Sequence, residues 1–282
     1  MSQIKVRPFK QVDVFTDRPG FGNPVAVIME AEGLSTEQMQ RVARWTNLSE
    51  TTFLLNTDKA GYQLRIFTPA QEIPFAGHPT IGSAHAALEQ GLVKDPTGFE
   101  QRCGIGDLPL WWRDGVIWVR VPTPKQVEAE LKPERLSQAL GGAQVHDPLL
   151  FDTGPIWIVS RLDSLDALRG LQVDRDLLTR LSLQTGQAVG ATLYAFNQEG
   201  GIEVRSLAPA HGIDEDPVCG SGNLCAAAHL KATGEINRIG NQYQARQGMN
   251  LGREGCLHLN VLDDAMELGG RAVTVFEGQA RV

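Results

Sequence analysis

An α+β protein made of two similar lobes is the fold the sequence predicts, and three observations carry that expectation. Strands followed by a glycine-led helix occur in the first half and return in the same order in the second. A stretch of about thirty residues around each such helix can be laid on the other, as a duplication would leave it. Between the halves lies "VRVPTPKQVEAELKPERL", Val119 to Leu136, whose prolines and charge cluster read as a linker. The expected boundary follows, with residues 1–122 forming the first lobe and 123–267 the second.

Taken in order, "VRPFKQVDVF" alternates as a half-buried strand does, and "NPVAVIM" is a second apolar run of strand length. Gly20, Gly22, Asn23 and Pro24 supply the turn between them. The segment "STEQMQRVARWTN" opens with a Ser/Thr cap, carries Glu37 in its first turn and spaces Met39, Val42, Ala43 and Trp45 at helical intervals. "ETTFLLN" and "YQLRIFTP" are strands on either side of the turn residues "TDKAG", and a helix starts at Gly77. "DLPLWWRDGVIWVRV" closes the lobe as a strand pair folded about "RDG". In the second half "FDTGPIWIVS" is strand-like, "SLDALRG" and "DRDLLTRLSLQTG" are helical, and "GATLYAFNQEGGIEVRSLAP" is a hairpin. "CGSGNLCAAAHLKATG" is the second glycine-led helix, and the tail from Leu257 reads as further strands.

The repeat pairs Arg65 with Arg205, Pro69 with Pro209 and Gly77 with Gly220, the second copy being three residues longer between the proline and the glycine. Two copies suit a duplicated pair of lobes, since a solenoid needs at least three repeats. The 282-residue chain is long enough for two cores, and its formal charge of -7 removes any general attraction to nucleic acid or anionic membrane. Charged residues come too early for a signal peptide and no apolar run is long enough to span a bilayer, so a cytoplasmic chain is expected. Cys103, Cys219, Cys225 and Cys256 lack CxxC spacing and are expected to be reduced.

The chemistry is sought at the two glycine-led turns, "GHPTIGSAHAAL" and "CGSGNLCAAAHL". A helix N-terminus presents unpaired N–H groups and the positive end of the helix dipole, so each turn is an anion site in prospect. Facing lobes would bring both to one cleft, and a small carboxylate held by several amides would be its occupant. Glu50 stands where a helix gives way to an apolar strand, where burial would raise its pKa toward the range useful for proton transfer. The alternative for Glu50 is a solvated strand end or a cap partner of Ser49 or Thr51. In the repeat, Glu50 meets Gly190, so only one lobe carries the acid. His78 either caps its helix or shuttles a proton to a ligand. Asp216 precedes Pro217, which biases it to an extended backbone and aims its carboxylate away from the helix. Ser221 can cap its helix or bond a ligand. His78 and His85, or the cluster Asp214 to Asp216, match no metal motif, and the turns lack P-loop and dinucleotide spacing. Neither a metal nor a cofactor is expected.

These residues fall in motifs with a known counterpart. "VDVFTDRPGFGNPVAVI", "NLSETTFLL", "RIFTPAQEIPFAGHPTIGSA" and "EDPVCGSGN" resemble the signature segments of the PhzF-like phenazine biosynthesis family, which shares the diaminopimelate epimerase fold. The resemblance implies two pseudo-symmetric lobes, each a curled, mostly antiparallel sheet around a central helix. It also implies a tail, from about 268 to 282, that crosses back to the first lobe, and a cofactor-free homodimeric isomerase. Under it Glu50 is the acid/base that moves a proton between carbons of a small cyclic carboxylate, and His78, Asp216 and Ser221 line the substrate. The amides after Gly77 and Gly220, with Gly222 and Cys219 beside them, would hold the carboxylate.

One departure separates the chain from epimerases of that fold, which resemble it but use a thiol just before the glycine of each turn. Cys219 fills the second such position and Ala76 the first, so two-thiol racemisation lacks half its groups. A helix N-terminus would lower the Cys219 pKa, whereas its other reading is a small buried apolar residue. The expected function is therefore proton transfer between carbons by Glu50. The alternatives are a one-thiol epimerase or dehydratase using Cys219 and a non-catalytic carboxylate-binding protein. Phe21, Trp45 and His211 are candidates for the wall that selects the substrate.

Overall fold

A computed structural model describes residues 4–57 and 61–282. The turn expected at "TDKAG" has its centre outside the described residues. The chain divides into two compact units, one formed by 1–120 with 269–282 and the other by 121–268.

In the first unit, β1 (Val6–Val14) pairs antiparallel with β2 (Asn23–Ile28), the hairpin expected around the Gly20–Pro24 turn. α1 (Thr36–Thr46) carries the chain over to β3 (Thr51–Leu55), which lies parallel to β2, as a helical crossover permits. Its start is a full capping box between Ser35 and Gln38, and its end is Asn47 in the left-handed conformation. β4 (Gly61–Phe67) pairs antiparallel with β3 and with the short β5 (Glu72–Ile73). α2 (Gly77–Glu89) then crosses to β6 (Phe99–Cys103), parallel to β4. β7 (Gly106–Arg113) and β8 (Val116–Pro122) complete the meander about Asp114 and Gly115.

α2 packs against β1, β2 and β3, and its small residues are buried on every side, as a helix enclosed by its own sheet requires. α1 lies on other apolar residues, where Met39 and Ala43 join Ile28, Phe53 and Phe67. Trp45, placed on the apolar stripe by sequence, is instead 86% exposed, because the packed stripe of this helix runs through Met39, Val42 and Ala43 and Trp45 lies two residues beyond Ala43, on another face.

The second unit begins with β9 (Lys125–Val127), inside the segment read as a linker, and α3 (Pro133–Ala139), which starts there. β9 pairs antiparallel with the strand that follows α3, and Pro133 takes the first helical turn, where its missing N–H costs nothing. Prolines that look like linker residues are here edge and helix-start residues. β10 (Val145–Asp152) and β11 (Ile156–Leu162) form a hairpin, and α4 (Leu165–Arg169) and α5 (Arg175–Gln184) lead to β12 (Gly190–Phe196), parallel to β11. β13 (Ile202–Ala208) pairs antiparallel with β12 and with β14 (Ile213–Asp216). α6 (Gly220–Ala232) crosses to β15 (Gln242–Gln247), parallel to β13, and β16 (Gly255–Val261) and β17 (Ala265–Gly270) follow. α6 packs against β10, β11, β12 and β16, while α3, α4 and α5 cover a second apolar cluster through Leu136, Leu168, Leu178 and Leu181.

The last strand, β18 (Ala272–Arg281), belongs to the first unit and pairs antiparallel with β1 along its length. Both units therefore hold a mostly antiparallel sheet with parallel pairs at corresponding places, packed on a small-residue helix. No helix among the described residues is long and apolar enough to cross a membrane.

Candidate active site

Each unit carries one half of the residues singled out by sequence. In the first, Glu50 sits between the left-handed end of α1 and β3, and its carbonyl receives the Ala26 N–H at 3.5 Å, so it is held where the parallel pair begins. Its side chain is 15% exposed. His78, the second residue of α2 and 5% exposed, brings Nε2 to 3.2 Å from Glu50 Oε2. The approach lacks hydrogen-bond alignment, so the ring's hydrogen bond to the Pro24 carbonyl is made by Nδ1. A neutral His78 with its proton on Nδ1 turns the Nε2 lone pair toward Glu50. Burial drives the imidazole down to about 3, only partly opposed by Pro24, so it is neutral at ordinary pH.

The turn before Pro24 is fixed in turn by Asp13, whose buried carboxylate accepts the Gly20 and Gly22 N–H groups at 2.7 and 3.1 Å. Sequence reading passed over Asp13, although it lies in the motif "VDVFTDRPGFGNP". At the start of α2, Ala76 offers no side-chain cap, Pro79 has no N–H and the Thr80 N–H bonds the Ala76 carbonyl. The Gly77 and His78 amides are thereby left at the open end of the helix.

In the second unit Cys219 caps α6, its Sγ accepting the Gly222 N–H at 3.3 Å. The Asn223 N–H bonds the Cys219 carbonyl, which leaves the Gly220 and Ser221 amides at this open end. Ser221 Oγ accepts from the Trp157 indole N–H at 3.1 Å and lies 3.4 Å from Cys219 Sγ. Trp157, on β11 and buried, is a second residue that the sequence did not reveal, because it reaches Ser221 across 64 positions of chain.

Asp216 ends β14 with the extended backbone expected of a residue before proline, but its carboxylate departs from the expected outward aim. Its Oδ1 turns back to accept the Val218 N–H at 3.0 Å, and it also bonds the Cys219 thiol. Asp closes on the amide two residues ahead whenever the next turn exposes that N–H, and the proline bias acts on the backbone alone. Burial pushes Asp216 up from 3.8 to about 6, against the opposing pull of its Cys219 and Val218 hydrogen bonds. Cys219 is corrected in the same sense. Burial, reinforced by the nearby Asp216, raises the thiol well above its ordinary 9.0, and this outweighs the helix terminus.

Of the residues nominated for a selective wall, Phe21 lies beneath the Arg18 guanidinium at 3.9 Å, Trp45 is solvent-exposed and His211 is exposed in a single turn of 3-10 helix. Among the described residues no group of three or more His, Cys, Asp or Glu side chains converges as metal ligands would.

The profile of the family described as "Phenazine biosynthesis-like protein" matches residues 12–278. The trans-2,3-dihydro-3-hydroxyanthranilate isomerase of Pseudomonas aeruginosa is 34% identical, covering 95% of this chain and 97% of its own. Antisense-enhancing sequence 1 of Schizosaccharomyces pombe is also 34% identical, over 96% and 98%. The crystal structure of a phenazine biosynthesis protein of the PhzF family from Enterococcus faecalis superposes with a TM-score of 0.81 at 26% identity, covering 99% of this chain and all of that one. The match along nearly the whole length, with Glu50, His78, Asp216 and Ser221 inside the matched range, means that this chain belongs to the phenazine biosynthesis-like family and is one of its isomerases.

Proposed function

We propose that the protein moves a proton between two carbons of a small, cyclic, unsaturated carboxylate, with Glu50 as acid and base and without a cofactor. The observation that carries this reading is the Glu50 carboxylate 3.2 Å from a His78 Nε2 whose ring is neutral and held by Pro24. Glu50 as a carboxylate takes a proton from a carbon next to the conjugated acid, and the electron pair moves into the conjugated system. The resulting carboxylic acid returns the proton to another carbon on the same face. No electrons are gained or lost, so the step needs no oxidant or reductant. Between the two transfers the protonated Glu50 carboxyl donates a hydrogen bond to His78 Nε2.

In this reading both half-sites serve one ligand. The amides of Gly77, His78, Gly220 and Ser221 bind its carboxylate and stabilise the negative charge that develops on it. Gly222 and Cys219 shape that cradle. Asp216, poised near pH 6, and Ser221 orient the ring. The working form is a cytoplasmic homodimer, which sedimentation of the purified protein tests.

The compound named for the Pseudomonas relative, trans-2,3-dihydro-3-hydroxyanthranilate, is cyclic and unsaturated and is the first substrate to try. Wild-type protein in D2O should place deuterium on its ring carbon. Glu50→Gln should abolish that transfer while still binding anthranilate, and retained turnover would overturn the assignment. A one-thiol mechanism has the Cys219–Asp216 contact in its favour. It requires inactivation by iodoacetamide that bound anthranilate prevents. Binding of the substrate with no deuterium uptake would identify a non-catalytic carboxylate-binding protein.

A further inference from the structure

Gln247 ends β15 with its side chain completely buried, 28 residues beyond the turn it contacts. Its Nε2 donates to the Asp216 carbonyl at 2.9 Å, and its Oε1 accepts from the Cys219 N–H at 3.1 Å and from Asn223 Nδ2 at 2.7 Å. Asn223 Nδ2 also donates to the Cys219 carbonyl at 2.8 Å. One amide thus grips both ends of the Asp216–Cys219 turn. The next residue, Gly248, has φ +102, and a Cβ there would lie 2.6 Å from the Pro217 carbonyl oxygen, so β15 is pressed against the turn it holds.

The first unit shows what this clamp is for. Its parallel pair β4–β6 aligns Tyr62 with Gln101, as β13–β15 aligns Ile202 with Ala245, so Cys103 occupies the place of Gln247. The Cys103 thiol hydrogen-bonds with Gln101 and with the Ile105 backbone, and it carries no amide with which to hold the turn Ile73–Ala76. That turn carries Ile73 where the second unit carries Asp216. An amide clamp occurs in the unit whose turn bears a carboxyl group and is missing at the same place in the unit whose turn bears none.

We infer that Gln247 is a positioning residue of the isomerase site: it sets the Asp216–Cys219 turn so that the Asp216 carboxyl and the Gly220 and Ser221 amides address one ligand. The inference rests on the proposed function, which puts Asp216 and those amides on the substrate. Misplacement of a positioned group by about 1 Å can cost about 100-fold in rate.

Gln247→Met keeps an unbranched side chain of similar length and removes all three hydrogen bonds. It should lower kcat on trans-2,3-dihydro-3-hydroxyanthranilate by about 100-fold and weaken anthranilate binding, in protein whose circular dichroism shows it folded. Gln247→Glu keeps the acceptor for Cys219 and loses the donor to Asp216. Its kcat should fall while its anthranilate affinity stays close to that of the wild type, a split that a purely structural residue would not produce. Should the Met variant fail to fold, the isosteric Glu variant carries the test. An active wild type with unimpaired folded variants, or variants whose losses merely follow their folded fraction, overturns the role of Gln247 alone. A wild type that neither turns over the substrate nor binds anthranilate overturns the proposed function and this inference with it.

Discussion

The two units repeat one scaffold and differ in the ionisable side chains they carry on it. Arg65 pairs through two hydrogen bonds with Glu72, and at the equivalent place Arg205 does the same with Glu215. Each glycine-led helix leaves two amides at its open end, yet by different means. Pro79 has no N–H to offer in the first, while the Cys219 thiol occupies the Gly222 N–H in the second. Each keeps a first-turn side chain in place from the neighbouring strand, His78 through the Pro24 carbonyl and Ser221 through the Trp157 indole. The two open amides are thus common to both, and the ionisable side chains beside them are not. The first unit has Glu50 and a neutral histidine, and the second has Asp216 poised near pH 6.

Why a glutamate stands in one copy alone is a matter of space. Gly190, the counterpart of Glu50, starts β12 so close to β13 that a Cβ would collide with the Leu207 carbonyl oxygen. No glutamate fits there without opening the strand pair. Under the proposed function, the duplicated turns come with a single base because the second copy closes that position.

The largest expected effect is on the base itself. Glu50→Gln should lower kcat by about 10⁴-fold, the upper range for a general acid and base, as measured by deuterium transfer to the ring. Comparable residual turnover would make the two half-sites equal partners. Asp216→Asn comes next, with a loss of about 100-fold in kcat.

The same substitution has an opposite effect on stability. An acid raised from 3.8 to about 6 is proton-richer folded than unfolded, so its contribution falls as pH rises between those values. Above about pH 6 the full cost, about 3 kcal/mol, is in place, and Asp216→Asn should recover up to that amount at pH 7 and little at pH 4. His78 has the reverse sign. Lowered from 6.5 to about 3, it is proton-poorer folded, so its contribution is complete above 6.5 and is lost as pH falls toward 3. Urea midpoints of wild type and Asp216→Asn from pH 4 to 7.5 should therefore diverge as pH rises, and parallel curves would show that the Asp216 carboxyl is solvated.

The repeated ion pair supplies a smaller contrast. Arg205 and Glu215 are 10% and 8% exposed, against 23% and 38% for Arg65 and Glu72. Arg205→Met leaves a buried carboxylate without its partner and should cost about 3 kcal/mol in urea unfolding. Arg65→Met should cost about 1 kcal/mol or less, since water solvates the remaining glutamate. Of similar size is the effect of Cys219→Ala, which gives the second helix the residue the first already has at Ala76. It uncovers the Gly222 N–H and should cost about 1 kcal/mol in unfolding free energy.

Much of this was legible in the chain of letters, for reasons that are local. The capping residues of α1, the glycines that open α2 and α6 and the turn at Gly20–Pro24 act within a few positions of themselves, and alternation or helical spacing marks the rest. The match of the two copies pointed to paired anion sites, and Ala76 against Cys219 ruled out two thiols. Local rules also misled. Prolines in 119–136 suggested a linker where β9 and α3 form, and Pro217 suggested an outward Asp216.

What a residue will do through its neighbours along the chain can thus be read from their order, because backbone sterics, caps and turn chemistry reach only a few positions. The neutral His78, the raised Asp216 and the raised Cys219 thiol arise from burial by distant segments. The grips of Pro24, Trp157 and Gln247 likewise join parts of the chain 28 to 64 positions apart. Desolvation and long-range hydrogen bonds exist only once those segments have packed, so no local pattern records them.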